Sequence, residues 1–132
     1  MTEKQLWSMK VIVWCAIGIL LTLLIGLACG EIKVTPIKYV VTAYCPGSCC
    51  CGRWADGYTA SGYKIKPGDR FVAAPRQIPF GTKVIIPGYN NNKPVKVLDR
   101  GGAIKGNKLD VFFDTHKEAL RWGRQSLKVR IL

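Results

Sequence analysis

The stretch Val95–Leu120, VKVLDRGGAIKGNKLDVFFDTHKEAL, carries the reading on which the fold turns. Val95, Val97 and Leu98 have strand character and lead into Asp99. A glycine-rich loop follows, with Gly101, Gly102 and Gly106. A second apolar strand, Lys108 to Phe113, then carries Asp110, and Asp114 stands where that strand runs into a helix. Asp99, Asp110 and Asp114, three of the chain's eight acidic residues, therefore fall within sixteen residues. Each has an ordinary structural role open to it: Asp99 starting a turn, Asp110 pairing with a lysine, Asp114 capping a helix. Their concentration in a chain so poor in acid points equally to chemistry.

Outward from this stretch the pattern is mostly β. Ile37 to Tyr44, IKYVVTAY, is rich in β-branched and aromatic residues and reads as a strand. Lys66-Pro67-Gly68-Asp69 is a turn, followed by a strand at Phe71 to Ala74. Ile78 to Thr82 turns again into Lys83 to Ile86, and Gly88 to Pro94 closes a hairpin onto Val95 to Leu98. Thr115 and Glu118 have the form of a capping box, so a short helix is expected from Lys117 to Trp122, stopped by Gly123. His116 falls beside it, where a solvated position is the ordinary expectation. Leu127 to Leu132 alternates apolar and basic residues and reads as the last strand. The fold class expected is mainly β, a small closed barrel of six strands with one short helix, because closure removes exposed edges. The barrel domain spans 37–132, behind a linker at 31–36.

Residues 1–30 stand apart. From Val11 to Cys29 the chain carries no charged residue, close to the about twenty residues that a membrane-spanning helix needs. An uncleaved anchor through residues 11–29 is the first reading. A signal segment cleaved near Ala28, which would release the domain, and lipid attachment at Cys29 are the alternatives. All three deliver the remainder across a membrane, into the envelope. Of the charged residues only Glu3, Lys4 and Lys10 lie in 1–30, so the formal net charge of +12 belongs almost wholly to residues 31–132. The lysines and arginines are scattered, and no recognition helix or base-stacking motif is present, so no nucleic acid partner is expected. With an export segment in front, the anionic partner is an envelope polymer or a membrane surface.

Four of the six cysteines, Cys45, Cys49, Cys50 and Cys51, lie in one short run. In an oxidising compartment disulfides stapling this loop are the leading reading, with free thiols and a metal site as alternatives. Zinc is disfavoured on spacing, since cysteine-only sites draw on two separated pairs. Consecutive cysteines do not easily converge on one ion, and the only histidine is far away in sequence. No metal or other cofactor is expected.

The ordered series Thr42-Ala43-Tyr44, Thr59-Ala60-Ser61-Gly62, Val72 to Thr82, Asp99 to Gly106 and Leu109 to Phe113 closely resembles the three-aspartate (3D) domain of bacterial envelope proteins. The resemblance implies a double-psi β-barrel, a fold shared with membrane-bound lytic transglycosylase A. It implies peptidoglycan glycan strands as partner and, in members that are enzymes, cleavage of the MurNAc-GlcNAc bond without water, leaving 1,6-anhydro-MurNAc ends. By the same resemblance Asp99 is the general acid/base and Asp110 its supporting carboxylate. Gly101, Gly102 and Lys105, with Tyr44, Thr59 and Ser61, are substrate-binding residues. The chemistry suits the residues: a carboxylic acid protonates the leaving oxygen, and its carboxylate then takes the proton of the sugar's C6 hydroxyl. The family's first aspartate falls just before the Pro-Arg pair, where this chain has Ala74. A non-catalytic barrel that binds cell-wall glycan is the alternative function.

Overall fold

The computed structural model describes residues 3–5, 8–15 and 33–132. Residues 3–5 and 8–15 are helical and exposed. Most of the apolar segment expected to cross a membrane, residues 16–29, lies outside the described residues. Among the described residues no helix is long and apolar enough to cross a membrane.

Val34–Leu132 forms a compact unit of its own. Its strands are β1 (Ile37–Tyr44), β2 (Phe71–Ala73), β3 (Lys83–Ile85), β4 (Val95–Asp99), β5 (Lys108–Phe112) and β6 (Gln125–Ile131). They close into a barrel in the order β1-β5-β2-β4-β3-β6. β1 with β5 and β2 with β4 are parallel, and the other four pairs are antiparallel. All six expected strands are present. The ends differ by one or two residues: β4 continues to Asp99, β5 stops at Phe112, and β6 begins at Gln125.

Inward-facing residues of every strand fill the barrel. Val41, Val72, Val84, Val97, Leu109, Val111 and Val129 are fully buried in one cluster, each side chain contributing about 1.5–3 kcal/mol. Tyr89 joins them from the hairpin turn. Its ring is buried and its hydroxyl donates to the carbonyls of Phe71 (3.1 Å) and Phe112 (2.5 Å). The turn that delivers it runs Asn90, Asn91 and Asn92 through left-handed backbone, which asparagine tolerates better than other residues with a Cβ. A second cluster, Tyr44, Phe71, Ala73 and Phe112, packs on the opposite face of the same strands. There the Phe71 and Phe112 rings stack at 4.5 Å and Tyr44 meets both edge-on.

Two helices decorate the barrel, the single turn α1 (Ser48–Cys51) and α2 (His116–Trp122). The capping box is formed: the Glu118 amide donates to Thr115 Oγ1, and the Glu118 carboxylate accepts from the Thr115 amide. Asp114 therefore does not cap the helix. It accepts from the Gly68 amide at 3.0 Å and pairs with Arg70 at 3.5 Å, tying the turn before β2 to the end of β5.

Candidate active site

The site begins with strand register. Ala73 of β2 pairs with Asp110 of β5 on one side and with Asp99 of β4 on the other. Thr42 of β1 pairs with Asp110 in turn. Residues directly opposite in a sheet share a face, so Thr42, Asp110, Ala73 and Asp99 form one row across four strands. Asp99 joins the row only through a register shift. Val72 pairs with Val97, yet Ala73 pairs with Asp99, so Leu98 is the extra residue of a bulge. Regular alternation would turn Asp99 to the face of the buried Val97. The bulge re-aims it beside Ala73, as bulges at functional sites commonly do.

Asp99 is held by three donors. Tyr44 Oη donates to Oδ2 at 2.5 Å, and the amides of Ala60 and Arg100 donate to Oδ1 at 2.8 Å each. Burial beneath this cleft drives the Tyr44 phenol far above its ordinary pKa, and the Asp99 charge adds to the shift, so the hydroxyl remains a donor. Asp110 accepts from Thr42 Oγ1 at 2.9 Å. Burial pushes its carboxyl up to about 6, opposed by the Thr42 hydrogen bond and reinforced by the charge of Asp99. Within this pair, Asp110 is a carboxyl that carries a proton at mildly acidic pH.

Both carboxylates open on a cleft of about 590 Å3. Trp54 and Tyr58, 69% and 52% exposed, stand on its wall. Such exposed rings are suited to stacking on a sugar face. Gly101 and Gly102 form the rim between this cleft and a second hollow of about 490 Å3 that holds Arg76 and Lys105. The two glycines serve different ends. A Cβ on Gly101 would meet Ile104 Cγ1 at 2.9 Å, whereas one on Gly102 would meet nothing within 4 Å. Gly101 answers a packing need, whereas Gly102 faces open space.

Three of the other residues expected to bind substrate line the two hollows. Tyr44 and Thr59 line the cleft, Lys105 lines the second hollow, and Ser61 is not among the cleft-lining residues. The Thr59 and Ser61 hydroxyls bond each other at 2.9 Å, and Thr59 Oγ1 also accepts from the Tyr63 amide. This turn aims the Ala60 amide at Asp99. Ala74 is fully buried in the barrel cluster, on the face away from the row that Ala73 joins. Its carbonyl accepts from the Arg100 guanidinium at 3.0 Å, as does that of Ile78 at 2.6 Å, with Arg100 lying 4.0 Å over the Phe80 ring. Trp54 and Tyr58 escaped sequence reasoning. Thr42 and Ala60 stand in the motif series above but were given no role of their own there.

The disulfide expectation is corrected. Cys45, Cys49, Cys50 and Cys51 are all free thiols. Cys45 Sγ lies 3.3 Å from the sulfurs of both Cys49 and Cys50, well beyond a bond of about 2.05 Å. Cys51 turns elsewhere, towards the Cys45 carbonyl and the cleft, with its thiol pushed up to about 11 chiefly by burial. His116 is exposed, as expected, and also brings Nδ1 to within 3.5–3.9 Å of the sulfurs of Cys45, Cys49 and Cys50.

The chain is similar in sequence to several bacterial proteins. YabE of Bacillus subtilis, whose name describes a cell wall shaping protein, is 40% identical over 94 residues, covering 69% of this chain and 21% of the relative. The cell wall-binding protein YocH of the same organism is 39% identical over 79 residues, 58% of this chain and 26% of its own. RlpA of Aquifex aeolicus, named a probable endolytic peptidoglycan transglycosylase, is 32% identical over 94 residues, 70% of this chain and 40% of its own. The chain spans well under half the length of each of these relatives. Residues 70–132, which contain both aspartates and five of the six strands, match the 3D domain, and this part of the chain belongs to that family.

Proposed function

We propose that this barrel is a peptidoglycan lytic transglycosylase of the cell envelope. In this reading it cleaves the MurNAc-GlcNAc bond to leave 1,6-anhydro-MurNAc ends, with Asp99 as general acid/base. The observation that carries the reading is the row in which Asp99 and Asp110 flank Ala73 and open together on one cleft. Asp99 gives its proton to the glycosidic oxygen and takes one from the C6 hydroxyl, so one carboxyl group serves both steps. Tyr44 and the Ala60 and Arg100 amides orient it. Asp110 supports it from the next strand but one, and its charge state sets the field at Asp99. Because Ala74 lies on the opposite face, its lack of a carboxylate takes nothing away from the row. The parallel pairs β1/β5 and β2/β4 support the double-psi form of the barrel. Residues 11–29 would hold the domain at the membrane or direct its export.

The test incubates the chain with purified peptidoglycan sacculi and weighs released fragments by mass spectrometry, with Asp99→Asn alongside. The expected result is 1,6-anhydro products from the parent and a loss of at least about 100-fold in the variant. Equal product from both would refute the assignment. A second reading, a glycan-binding barrel without catalysis, is favoured by the basic hollow holding Arg76 and Lys105 beyond the glycine rim. Co-sedimentation with sacculi and no anhydro ends would establish it.

A further inference from the structure

The cysteine run and the only histidine of the chain meet at one point, outside the carboxylate row. The ligand atoms of Cys45, Cys49, Cys50 and His116 all lie within 4.8 Å of one another. A tetrahedral zinc ion with Zn–S near 2.3 Å and Zn–N near 2.0–2.1 Å requires edges of about 3.8 Å between sulfurs and about 3.6 Å from sulfur to nitrogen. His116 Nδ1 stands 3.9, 3.5 and 3.6 Å from the three sulfurs, at those edges. The Cys45 sulfur sits 3.3 Å from Cys49 and from Cys50, so the sulfurs must part by about half an ångström to seat the ion.

Three further features fit. α1 is one turn, so Cys49 and Cys50 both face Cys45 while Cys51 turns away to the cleft. Gly47 has ordinary negative φ, so its glycine is not there for backbone freedom; a Cβ would stand in van der Waals contact with the sulfurs of Cys49 and Cys45, at 3.4 and 3.6 Å. The Thr115 capping box fixes the start of α2 and thereby the position of His116. A disulfide would occupy two of these thiols and would leave unexplained why a third thiol and the imidazole converge on them.

We propose that Cys45, Cys49, Cys50 and His116 form a structural zinc site. Four protein ligands leave no open position, which is the arrangement of a structural rather than a catalytic ion. On binding, the three thiols give up their protons to solvent and the imidazole coordinates as the neutral base through Nδ1. The ion clamps the segment that follows β1 to the first residue of α2. Tyr44, the donor to Asp99, directly precedes Cys45, and Cys50, Cys51 and Trp54 line the cleft. Zinc thus fixes the wall of the cleft without taking part in its chemistry, and the site stands whether the cleft cleaves glycan or only binds it.

The test uses the full chain, purified under reducing conditions in mild detergent without chelator and dialysed against zinc. Elemental analysis should find one zinc per chain. Cobalt(II) in its place should give the visible d–d bands of a tetrahedral thiolate site and a thiolate-to-cobalt charge-transfer band. His116→Ala and Cys49→Ser should weaken zinc by more than the about 10–100-fold that loss of an outer-shell partner costs. Cys51→Ser should keep the full stoichiometry, and His116→Cys should restore a tetrahedral, all-thiolate cobalt spectrum. Failure of the unmutated chain to retain zinc, a cobalt spectrum without tetrahedral thiolate bands, or an intact mass two hydrogens light from a disulfide would each overturn the site.

Discussion

Replacing Asp110 by Asn should make the barrel more stable at neutral pH while impairing its site. Burial lifts the Asp110 carboxyl from an ordinary 3.8 to about 6. For an acid raised in this way, the folded state holds its proton more tightly than the unfolded chain. The penalty for ionising it in the fold is absent below about pH 4, grows as pH rises towards 6, and is complete above that. At 1.36 kcal/mol per unit, the shift corresponds to about 3 kcal/mol of native-state destabilisation at pH 7. Asparagine is nearly isosteric, can still accept from Thr42, and never ionises. The parent should therefore lose stability relative to Asp110→Asn between pH 4 and 7, the difference reaching about 2–3 kcal/mol. Urea unfolding followed by circular dichroism at several pH values, with metal content held equal, measures the difference directly. Parallel stability curves for the two proteins, or a variant less stable at pH 7, would refute the reasoning. Such a penalty in a row that opens on a cleft is what a site built for proton transfer rather than for stability requires.

The same geometry sets the pH dependence of turnover. The pH–rate profile of anhydro-product formation should break near pH 6, where Asp110 loses its proton and adds a negative charge beside the acid/base; in Asp110→Asn any residual activity should lack that break, and an unchanged pH–rate profile would count against the pairing. Tyr44→Phe keeps the aromatic contacts with Phe71 and Phe112 but removes the 2.5 Å bond to Asp99, so turnover should fall roughly tenfold or more with the unfolding midpoint little changed. Gly101→Ala should lower the melting temperature, because its Cβ meets Ile104 at 2.9 Å, whereas Gly102→Ala should leave it unchanged and weaken co-sedimentation with sacculi.

Local signals made much of this molecule legible. β-branched runs between Gly/Pro turns marked all six strands, and Thr115 with Glu118 marked the helix start, because propensity and capping act between residues close in the chain. Asp99 and Asp110 could be singled out because they stand in short apolar strands of an acid-poor chain. Tyr89 could not be placed in the core, since a tyrosine in an asparagine turn has no periodicity to read. Asp114 looked like a cap because aspartate before a helix commonly is one, and only the approach of Gly68 and Arg70 decided otherwise.

The sequence by itself determined the strands, their turns, the capped helix and the pair of aspartates, all of which depend on near neighbours. Tertiary structure alone decided which way those residues face. Strand period is two, so a single extra residue at Leu98 turns Asp99 from the barrel core to the row with Ala73 and Asp110, and that slip exists only in the pairing of β2 with β4. The meeting of His116 with Cys45, Cys49 and Cys50 is likewise a product of barrel closure, which sets the end of β1 against the start of the helix that follows β5. Register and closure are long-range terms, and no local pattern contains them.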